Sequence, residues 1–458
     1  MGCLRLQVVG GASDSYLIHR SYRFDAANRV VEVDDRRHGR ETYQYNTVGE
    51  LVGAVTPGVG AESFRFDQTG NVVHVTRSGE GLDRAAMEDI DLKYAGGDTL
   101  IERNGSIYER DGDGRLMERR EATSRGSEVL RDFGWDGEGW LATVKRNRGA
   151  EVKYQYDPFG RRIRKDDGGT VTEFVWDGDV ICHEVRESVA AVSWTFDPDD
   201  FTPLFKQVGA ASYDVVPDHQ GTPRELISDD SAIAWSVQRW AWGQPATVTA
   251  NLTDCPIVYP GQWHDEETGL FYNRFRYYDP SVGQYLTPDP QGLLGGLNLY
   301  QYGPAPTAWT DPFGLDSKVQ NVNGRTYTFD RDDSGRVVRA EGPLCNPNRI
   351  SDPQRDKNAQ RSLSSGTGYD AGHLLGNQFG GPGGGGNLVL MCPSMNQYGS
   401  WAKMERQLVG ITAKNSVRVV VTVHYKGNSN VPDRFTVDAH ITDRKGRTTQ
   451  RRWTHKNC

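Results

Sequence analysis

A turn motif that recurs along the first part of the chain, three times at a spacing of 21 residues, constrains the fold more than any other feature. In a complete copy an aromatic residue precedes Asp or Asn, and Gly stands three positions after the Asp or Asn. The motif occurs, complete or in part, at Phe24-Asp25, Tyr45-Asn46 with Gly49, Phe66-Asp67 with Gly70, Asp111 with Gly114, Trp135-Asp136 with Gly139 and Tyr156-Asp157 with Gly160. The spacing from Asp25 to Asn46, from Asn46 to Asp67, and again from Asp136 to Asp157, is 21 residues. A fixed period of this size indicates a repeat architecture.

Each copy of the motif predicts a β-hairpin. An Asp at the first position of a turn accepts hydrogen bonds from backbone N–H groups, and Gly at the fourth position adopts the positive φ needed there. The flanking residues 41–45 and 152–156 alternate between apolar and polar, as in a half-buried strand. A generic antiparallel sheet is the alternative, but the recurring turn favours stacked hairpins, which bury a face that one hairpin leaves exposed.

Composition excludes several classes of protein. No stretch reaches the roughly 18 consecutive apolar residues of a membrane-spanning helix. The first residues include no long apolar run, so we expect no cleavable signal peptide. The six cysteines are scattered without a CxxC pair, and we therefore expect free thiols and synthesis in a reducing cytosol.

Charge is distributed unevenly along the chain. Residues 316–458 contain 21 Lys and Arg against 12 Asp and Glu, whereas residues 1–315 contain 32 against 49. This asymmetry indicates two different roles, with the basic part as the candidate nucleic-acid binder.

Residues 259–315 end in a second recognisable pattern. Pro306 is followed by Asp311-Pro312-Phe313-Gly314-Leu315, which fits PxxxxDPxGL. Together with the repeats, this segment resembles the YD-repeat proteins of the Rhs and teneurin-like family. The resemblance implies an all-β, partial shell of hairpin repeats over 1–258, an Rhs-associated core over 259–315, and a toxin domain over 316–458. It also implies self-cleavage between Leu315 and Asp316.

Asp289 and Asp311 are the candidate pair for this cleavage. Two carboxyl groups held close together share a proton, and so provide one acid and one base to activate water. Asp279, in Tyr277-Tyr278-Asp279-Pro280, is an alternative partner for Asp311. The Asp-Pro steps could also be simple turn formers, but the resemblance favours catalysis.

The basic region predicts a mixed α+β domain. Residues 325–329, 336–340, 417–424 and 435–441 have strand-like patterns, with a turn at 333–335. An apolar stripe at helical spacing, formed by Trp401, Met404 and Leu408, predicts a helix packed on the core.

Polar residues cluster around Asp370-Ala371-Gly372-His373. The others are Asn377, Asn387, Asn396, Gln397 and Glu405. Neutral amides and carboxylates are oxygen ligands suited to a hard cation such as Mg²⁺. We expect Gly372 to allow close approach to His373, and we interpret His424, His440 and His455 as structural.

This segment, about residues 365–410, resembles the DNA/RNA non-specific endonucleases, a His-Me-finger (ββα-metal) family. The resemblance implies that His373 is the general base and that Asn396 holds the metal. It further implies that Asn387 supports the site and that Glu405 is linked to the metal through water. A Mg²⁺ or another divalent cation on Asn396 would neutralise charge on the phosphate.

The sequence departs from the family pattern in two ways. Ala371 stands where many members carry Arg, so Arg406 or Lys403 would have to supply a cation for the phosphate. Asn396 and Glu405 are nine positions apart, which places them on opposite faces of one continuous helix. Both can reach one ion only if the helix begins after Asn396, near Ser400.

Together these features imply a polymorphic toxin. Its nuclease domain would hydrolyse phosphodiester bonds of DNA, RNA or both in the cytoplasm of competing cells. The resemblance implies synthesis in the producer's cytoplasm, export by a type VI-like apparatus and a cognate immunity protein. The alternatives are a cell-surface adhesion protein with an inactive nuclease-like tail, and a housekeeping nuclease with an acquired shell.

Overall fold

The computed structural model divides into two compact units. The repeat unit comprises Val8–Arg20 and Val33–Ser317, and the C-terminal unit comprises Met1–Gln7, Ser21–Glu32 and Lys318–Cys458. The structure describes residues 4–458 except 11–15, 26, 28, 80–86, 123–127, 148, 150, 199, 251, 293–297, 316–318, 322–325, 332–335, 350–356, 383–386, 428 and 444. Within these described ranges, no helix is both long enough and apolar enough to span a membrane.

The strands before residue 311 are β1 Leu6–Gly10, β2 Tyr16–Phe24, β3 Val30–Asp35, β4 Gly39–Tyr45, β5 Leu51–Thr56, β6 Gly60–Phe66, β7 Val72–Ser78, β8 Glu88–Ala95, β9 Thr99–Arg103, β10 Ser106–Arg110, β11 Leu116–Ala122, β12 Glu128–Trp135, β13 Leu141–Arg146, β14 Glu151–Tyr156, β15 Arg162–Asp166, β16 Val171–Asp177, β17 Val180–Arg186, β18 Val192–Phe196, β19 Pro203–Val208, β20 Ala211–Pro217, β21 Pro223–Ser228, β22 Ile233–Arg239, β23 Pro245–Ala250, β24 Trp263–Asp265, β25 Leu270–Asn273, β26 Arg276–Asp279, β27 Gln284–Tyr285 and β28 Trp309–Thr310. From β4 to β23 each strand pairs antiparallel with the next along the chain. The predicted hairpin repeats are therefore confirmed.

The turns between these strands form as their sequence predicts. Asp157 Oδ1 accepts hydrogen bonds from the backbone N–H groups of Phe159 and Arg161, both at 2.9 Å. Gly160 has a φ of 73°, and its N–H donates to the Asp157 carbonyl at 2.9 Å. Arg161 also pairs with the Asp157 carboxylate at 2.7 Å, a contact that the motif alone did not predict. Asp67, Asp111 and Asp136 make the same pair of backbone contacts.

In two copies of the motif, those of Trp135 and Tyr156, the aromatic residue links its hairpin to the preceding one. Tyr156 Oη donates to the carbonyl of Leu141 at 2.7 Å, and Trp135 Nε1 donates to the carbonyl of Leu116 at 2.8 Å. In both pairs the acceptor is the first residue of the strand that follows the previous turn. The half-buried ring thus packs on the core while its polar atom has a partner. This contact gives neighbouring repeats the interface on which a repeat protein depends.

The C-terminal unit is a mixed α+β structure. Its remaining elements are β29 Val319–Asn321, β30 Thr326–Arg331, β31 Val337–Leu344, α1 Lys357–Ser364, β32 Asp370–His373, β33 Leu388–Met391, α2 Ser400–Thr412, β34 Ser416–Tyr425, β35 Pro432–Thr442 and β36 Thr448–Lys456. Strands β29, β30, β31, β34, β35 and β36 pair antiparallel in that order, and β32 pairs with β33. The expected class, an all-β repeat segment followed by a smaller α+β domain, is confirmed. The strands predicted at 417–424 and 435–441 are β34 and β35, whereas the turn predicted at 333–335 lies outside the described residues.

One expectation about the cysteines is wrong. Cys392 and Cys458, 66 residues apart, form a disulfide. Cys182, Cys255 and Cys345 are free, as expected, and Cys3 lies outside the described residues. The pair escaped prediction because β36 brings Cys458 to the end of β33 only in the folded unit, so the spacing in sequence carries no signal.

Candidate functional site

Asp311 lies in a buried cluster of polar side chains within the repeat unit. Its Oδ2 accepts a hydrogen bond from the Tyr285 hydroxyl at 2.7 Å, and the Arg276 guanidinium lies 3.5 Å away. The same guanidinium lies 2.9 Å from the Asp289 carboxylate. The three charged side chains are each at most 2% exposed. Burial raises the pKa of Asp311, although Arg276 opposes this shift.

The alternative partner of Asp311 has a different environment. Asp279 lies 2.5 Å from Arg119 and accepts hydrogen bonds from the N–H and hydroxyl of Ser281. Asp289, by contrast, contacts the same arginine as Asp311. Of the two candidates, Asp289 is therefore the one that the fold connects to Asp311.

The segment that follows Asp311 is held close to its carboxylate. The backbone N–H of Leu315 donates to Asp311 Oδ1 at 3.1 Å, and the carbonyl of Gly314 accepts a hydrogen bond from Arg276 Nε. Gly314 has a φ of 66°, and a Cβ there would lie 2.5 Å from the carbonyl oxygen of Asn273, so only glycine fits. Asp316, on the far side of the candidate cleavage site, lies outside the described residues.

A second group of polar side chains surrounds a cavity of about 530 Å³ in the C-terminal unit. The described residues that line it are Gln360, Ser364, Asp370, Ala371, Gly372, His373, Gly376, Asn377, Gln378, Asn396, Gln397, Trp401, Ala402 and Glu405. Strand β32 provides Asp370 and His373, and helix α2 provides Glu405. Asn396 precedes that helix in a single π-helical turn, Ser394–Tyr398. The fold thus brings together the candidate base, the candidate metal residue and the candidate acid.

The start of α2 resolves the spacing problem between Asn396 and Glu405. The helix begins at Ser400, with Gly399 as its N-cap, and so does not include Asn396. Asn396 and Glu405 consequently line one cavity although they are nine residues apart. The apolar stripe of the helix, formed by Trp401, Met404 and Leu408, is buried as predicted.

Asp370 fixes the orientation of the Asn396 side chain. Its Oδ2 accepts hydrogen bonds from Asn396 Nδ2 at 3.0 Å and from Gln397 Nε2 at 2.9 Å. Because this bond engages the amide nitrogen of Asn396, the amide oxygen of Asn396, Oδ1, points away from Asp370 and can act as an acceptor. We did not assign Asp370 a role from the sequence, although the Asp370-Ala-Gly-His373 motif contains it.

At two glycines of the cavity, an added Cβ would meet a neighbouring side chain. A Cβ on Gly372 would lie 2.4 Å from Met391 Sδ, on the paired strand β33. Gly372 therefore permits the close pairing of the strand that carries His373 with β33. A Cβ on Gly376 would lie 2.6 Å from Glu405 Oε1, so a larger residue there would displace the Glu405 carboxylate.

Asn387 lies outside the cavity lining and supports it. The side chain is fully buried and forms three hydrogen bonds with backbone groups. Its Oδ1 accepts from the N–H of Leu375 at 2.8 Å, and its Nδ2 donates to the carbonyls of Leu375 and Pro382, both at 2.7 Å. These bonds brace the loop that follows His373.

The candidate phosphate-binding cations lie outside the lining. Lys403 and Arg406 are exposed on α2, whereas Trp401, Ala402 and Glu405 of the same helix face the cavity. Among the described lining residues there is no Lys or Arg. Of the four histidines considered, His373 alone lines the cavity. His455 is buried against Met404 and Trp401, and burial lowers its pKa.

The donor atoms around the cavity fit a hard divalent cation. Glu405 supplies a carboxylate and Asn396 an amide oxygen, while the Asp370 carboxylate accepts hydrogen bonds from the amides of Asn396 and Gln397. No group of three or more His, Cys, Asp and Glu side chains that could hold an ion occurs in the described part of the chain. A cation held by few protein oxygens keeps several water ligands, which is the usual state of Mg²⁺.

Comparison with known proteins identifies both units. A family model for the teneurin YD-shell matches residues 13–302, and one for DNA/RNA non-specific endonuclease matches residues 316–443. The probable deoxyribonuclease RhsA of Dickeya dadantii is 28% identical, over 97% of this chain and 31% of that protein. The double-stranded DNA deaminase toxin A of Burkholderia cenocepacia is 32% identical, over 65% of this chain and 22% of that protein.

A solved structure supports the fold. The complex TcdB2-TccC3-Cdc42 matches with a TM-score of 0.52 and 16% identity, over 66% of this chain and 17% of that one. The chain spans less than a third of the length of each of these relatives. Since the YD-shell model covers more than half of its residues, the chain belongs to the teneurin YD-shell family, and it joins an Rhs-type repeat segment to a domain of the DNA/RNA non-specific endonuclease family.

Proposed function

We propose that this chain is part of an Rhs-type toxin whose C-terminal region, 316–458, is a nuclease that depends on a divalent cation. It hydrolyses phosphodiester bonds of DNA, RNA or both. The observation that best supports this function is that His373, Asn396 and Glu405 line one cavity, while Asp370 orients the Asn396 amide. The ββα order of β32, β33 and α2, of which β32 and α2 line that cavity, also supports it.

His373 acts as the general base and takes a proton from the attacking water. Asn396 and Glu405 hold the cation, with Asp370 keeping the amide oxygen of Asn396 free for it. When bound, a divalent cation such as Mg²⁺ neutralises charge on the phosphate and on the leaving 3′ oxygen. Arg406 and Lys403, exposed on α2, attract phosphates of the strand beyond the cavity in a manner independent of sequence.

Self-cleavage after Leu315 is the second proposed activity. Asp289 is the ionised member of the pair, stabilised by Arg276 at 2.9 Å, and it takes the proton from water. Asp311, whose pKa is raised by burial, is the protonated member and donates to the leaving nitrogen of Asp316. The hydrogen bond from Leu315 N–H to Asp311 supports this assignment, because it holds that carboxyl beside the residue whose carbonyl is attacked.

The biological setting is proposed from the relatives. Two of them are described as a probable deoxyribonuclease and a DNA deaminase toxin. By analogy, this protein is made in the cytoplasm, exported by a type VI-like apparatus, and active in the cytoplasm of a competing cell. Its producer requires an immunity protein that blocks the cavity.

Digestion of plasmid DNA and of RNA by the purified chain tests the nuclease assignment. We expect cleavage that stops when EDTA removes the divalent cation and falls sharply in His373→Ala. Activity that survives both EDTA and His373→Ala would overturn the assignment. In cells, we expect expression of the active chain to be toxic without a protective partner, and normal growth with confirmed soluble expression would count against the toxin function.

A further inference from the structure

The end of β36 contacts the segment that carries Asn396. The N–H, the sulfur and the carbonyl of Cys392 each form one of the contacts involved. Its N–H donates to Asn457 Oδ1 at 2.7 Å, its sulfur is bonded to Cys458, and its carbonyl accepts from the N–H of Asn396 at 2.9 Å. A single residue thus connects the last two residues of the sequence to the candidate metal residue.

Asn457 is itself firmly held. It is 3% exposed, and its Nδ2 donates to the carbonyls of Leu390 and Pro432 at 3.1 and 2.9 Å. Its backbone N–H donates to the carbonyl of Asp433 at 2.9 Å. With both donors and the acceptor of its amide engaged, Asn457 joins the end of β33 to the start of β35 in one orientation.

The position of Asn396 depends on such contacts because no long helix carries it. It lies in one π-helical turn, Ser394–Tyr398, between the end of β33 and the start of α2. Short π-helical segments of this kind occur frequently at functional sites. Cys392 holds its backbone, and Asp370 holds its side chain at 3.0 Å.

We propose that Asn457 and the Cys392–Cys458 disulfide, together called the clasp, position Asn396 for the cation, and that reduction of the disulfide lowers cation affinity. The inference rests on the proposed function, since it takes Asn396 as the metal residue. In the opening step a dithiol supplies two electrons and two protons to the S–S bond. Cys392 and Cys458 become thiols, and the dithiol becomes a disulfide. Cys458 is exposed and Cys392 is buried, so Cys458 is the side from which a dithiol would approach the bond.

The clasp makes the cation affinity of the nuclease depend on the redox state of its compartment. Disulfides persist in oxidising compartments and are reduced in the cytosol. The nuclease therefore binds its cation less tightly in the cytosol where it is made than after passage through an oxidising space. In a target cytosol, activity then declines as the clasp is reduced.

The test measures Mn²⁺ affinity of the full chain from the EPR signal of free Mn²⁺. Oxidised protein is compared with protein that has been reduced by dithiothreitol, from which the dithiothreitol is then removed under anaerobic conditions. The number of free thiols is measured to confirm that the disulfide is reduced. Outer contacts of a metal site typically change affinity by roughly 10- to 100-fold, and we expect reduction and Asn457→Ala each to weaken Mn²⁺ binding by about 10-fold. Near-UV circular dichroism checks that the fold is retained.

Two further variants separate positioning from general damage. Asn415→Ala removes an amide hydrogen bond to the Ile411 carbonyl at the far end of α2, and it should leave Mn²⁺ affinity unchanged. Asn457→Asp keeps an oxygen acceptor for the Cys392 N–H but loses both amide hydrogen bonds to the carbonyls of Leu390 and Pro432, so it should weaken Mn²⁺ binding as Asn457→Ala does. If Asn457→Ala does not fold, reduction of the unmodified chain decides the matter alone.

Each outcome has a distinct meaning. If Asn396→Ala weakens Mn²⁺ binding but reduction and Asn457→Ala do not, the clasp inference is wrong and the proposed nuclease stands. If Asn396→Ala leaves Mn²⁺ binding unchanged, the metal assignment fails and the clasp inference fails with it. Loss of affinity that only parallels loss of the near-UV signal would also overturn the inference, because it would reflect unfolding.

Discussion

An aspartate that accepts two hydrogen bonds stands in the turns of the repeat unit and also beside the cavity of the C-terminal unit. In the repeat unit, Asp157 accepts from backbone N–H groups two and four residues away. In the C-terminal unit, Asp370 accepts from the side-chain amides of residues 26 and 27 positions away. The first arrangement needs only a local turn, whereas the second needs the strands and the π-helical turn to be in place. The same residue type therefore serves a locally encoded feature in one unit and a globally assembled one in the other.

The two arrangements also differ in redundancy. The Asp turn recurs along the repeat unit, at Asp67, Asp111, Asp136 and Asp157 among others, so one altered copy leaves its neighbours intact. At the cavity, by contrast, each proposed role is carried by a single residue, such as His373 or Asn396. The buried pair Asp289 and Asp311 is the exception within the repeat unit, because it occurs once and joins distant segments. Single substitutions should reveal this difference directly.

The largest expected effect is at Asp311. Asp311→Asn removes the acid of the proposed pair, so the chain should run as one band where the unmodified chain runs as two. The smaller product of the unmodified chain should begin at Asp316 on N-terminal sequencing. Asp279→Asn should still be cut, since Asp279 contacts Arg119 and not the Asp311 cluster. Unchanged processing in Asp311→Asn would rule out the aspartyl mechanism.

Sequence predicted the features that depend on neighbours along the chain. The turn at Asp157 and Gly160 follows from two residues and a spacing, and the structure has it as expected. Alternating apolar residues predicted β34 and β35, and the helical stripe predicted the buried face of α2. In each case the physical cause lies within a few residues of the effect.

Features that depend on the assembled fold were missed. The need for Gly372 comes from Met391 on the opposite strand, and the disulfide partner of Cys392 lies 66 residues away. The motif resemblance suggested that His373 and Asn396 belong together, but it gave no reason for Asp370 to orient Asn396. Strand β36, which anchors that region through Asn457, had no recognised pattern because most of its side chains are exposed.

The next largest effect is expected at His373. His373→Ala removes the general base and should lower the nuclease rate by roughly 10²- to 10⁴-fold. Binding of Mn²⁺ should stay nearly unchanged, because the proposed cation ligands are other residues. His440→Ala, on exposed strand surface of the same unit, provides the control and should cost little. Equal losses in the two variants would remove His373 from the mechanism.

A smaller effect is expected at Asp370. Asp370→Asn replaces an acceptor of the Asn396 amide with a group that can also donate, so Asn396 should lose its fixed orientation. Outer contacts of this kind change metal affinity by about 10- to 100-fold. Part of the lost nuclease rate should return as Mg²⁺ is raised, and Glu405→Gln should behave similarly because α2 begins late enough to direct Glu405 into the cavity. A rate loss that no Mg²⁺ concentration relieves would place Asp370 in another role.

The smallest effect is expected in a single turn of the repeat unit. Gly160 has a φ of 73°, and a Cβ there would lie 2.8 Å from the Trp140 ring, so Gly160→Ala is strained. The left-handed conformation alone costs an alanine roughly 1–2 kcal/mol. Gly137→Ala, in the preceding turn, meets nothing within 4 Å and should be nearly neutral. Because stability in a repeat array is close to a sum over units and their interfaces, a loss of roughly 1–2 kcal/mol should lower the unfolding temperature by about 2–8 °C, at about 2–4 °C for each kcal/mol. Self-cleavage and nuclease activity should persist in both variants, whereas their loss in Gly160→Ala would mean that the repeat unit acts as one cooperative structure on which both sites depend.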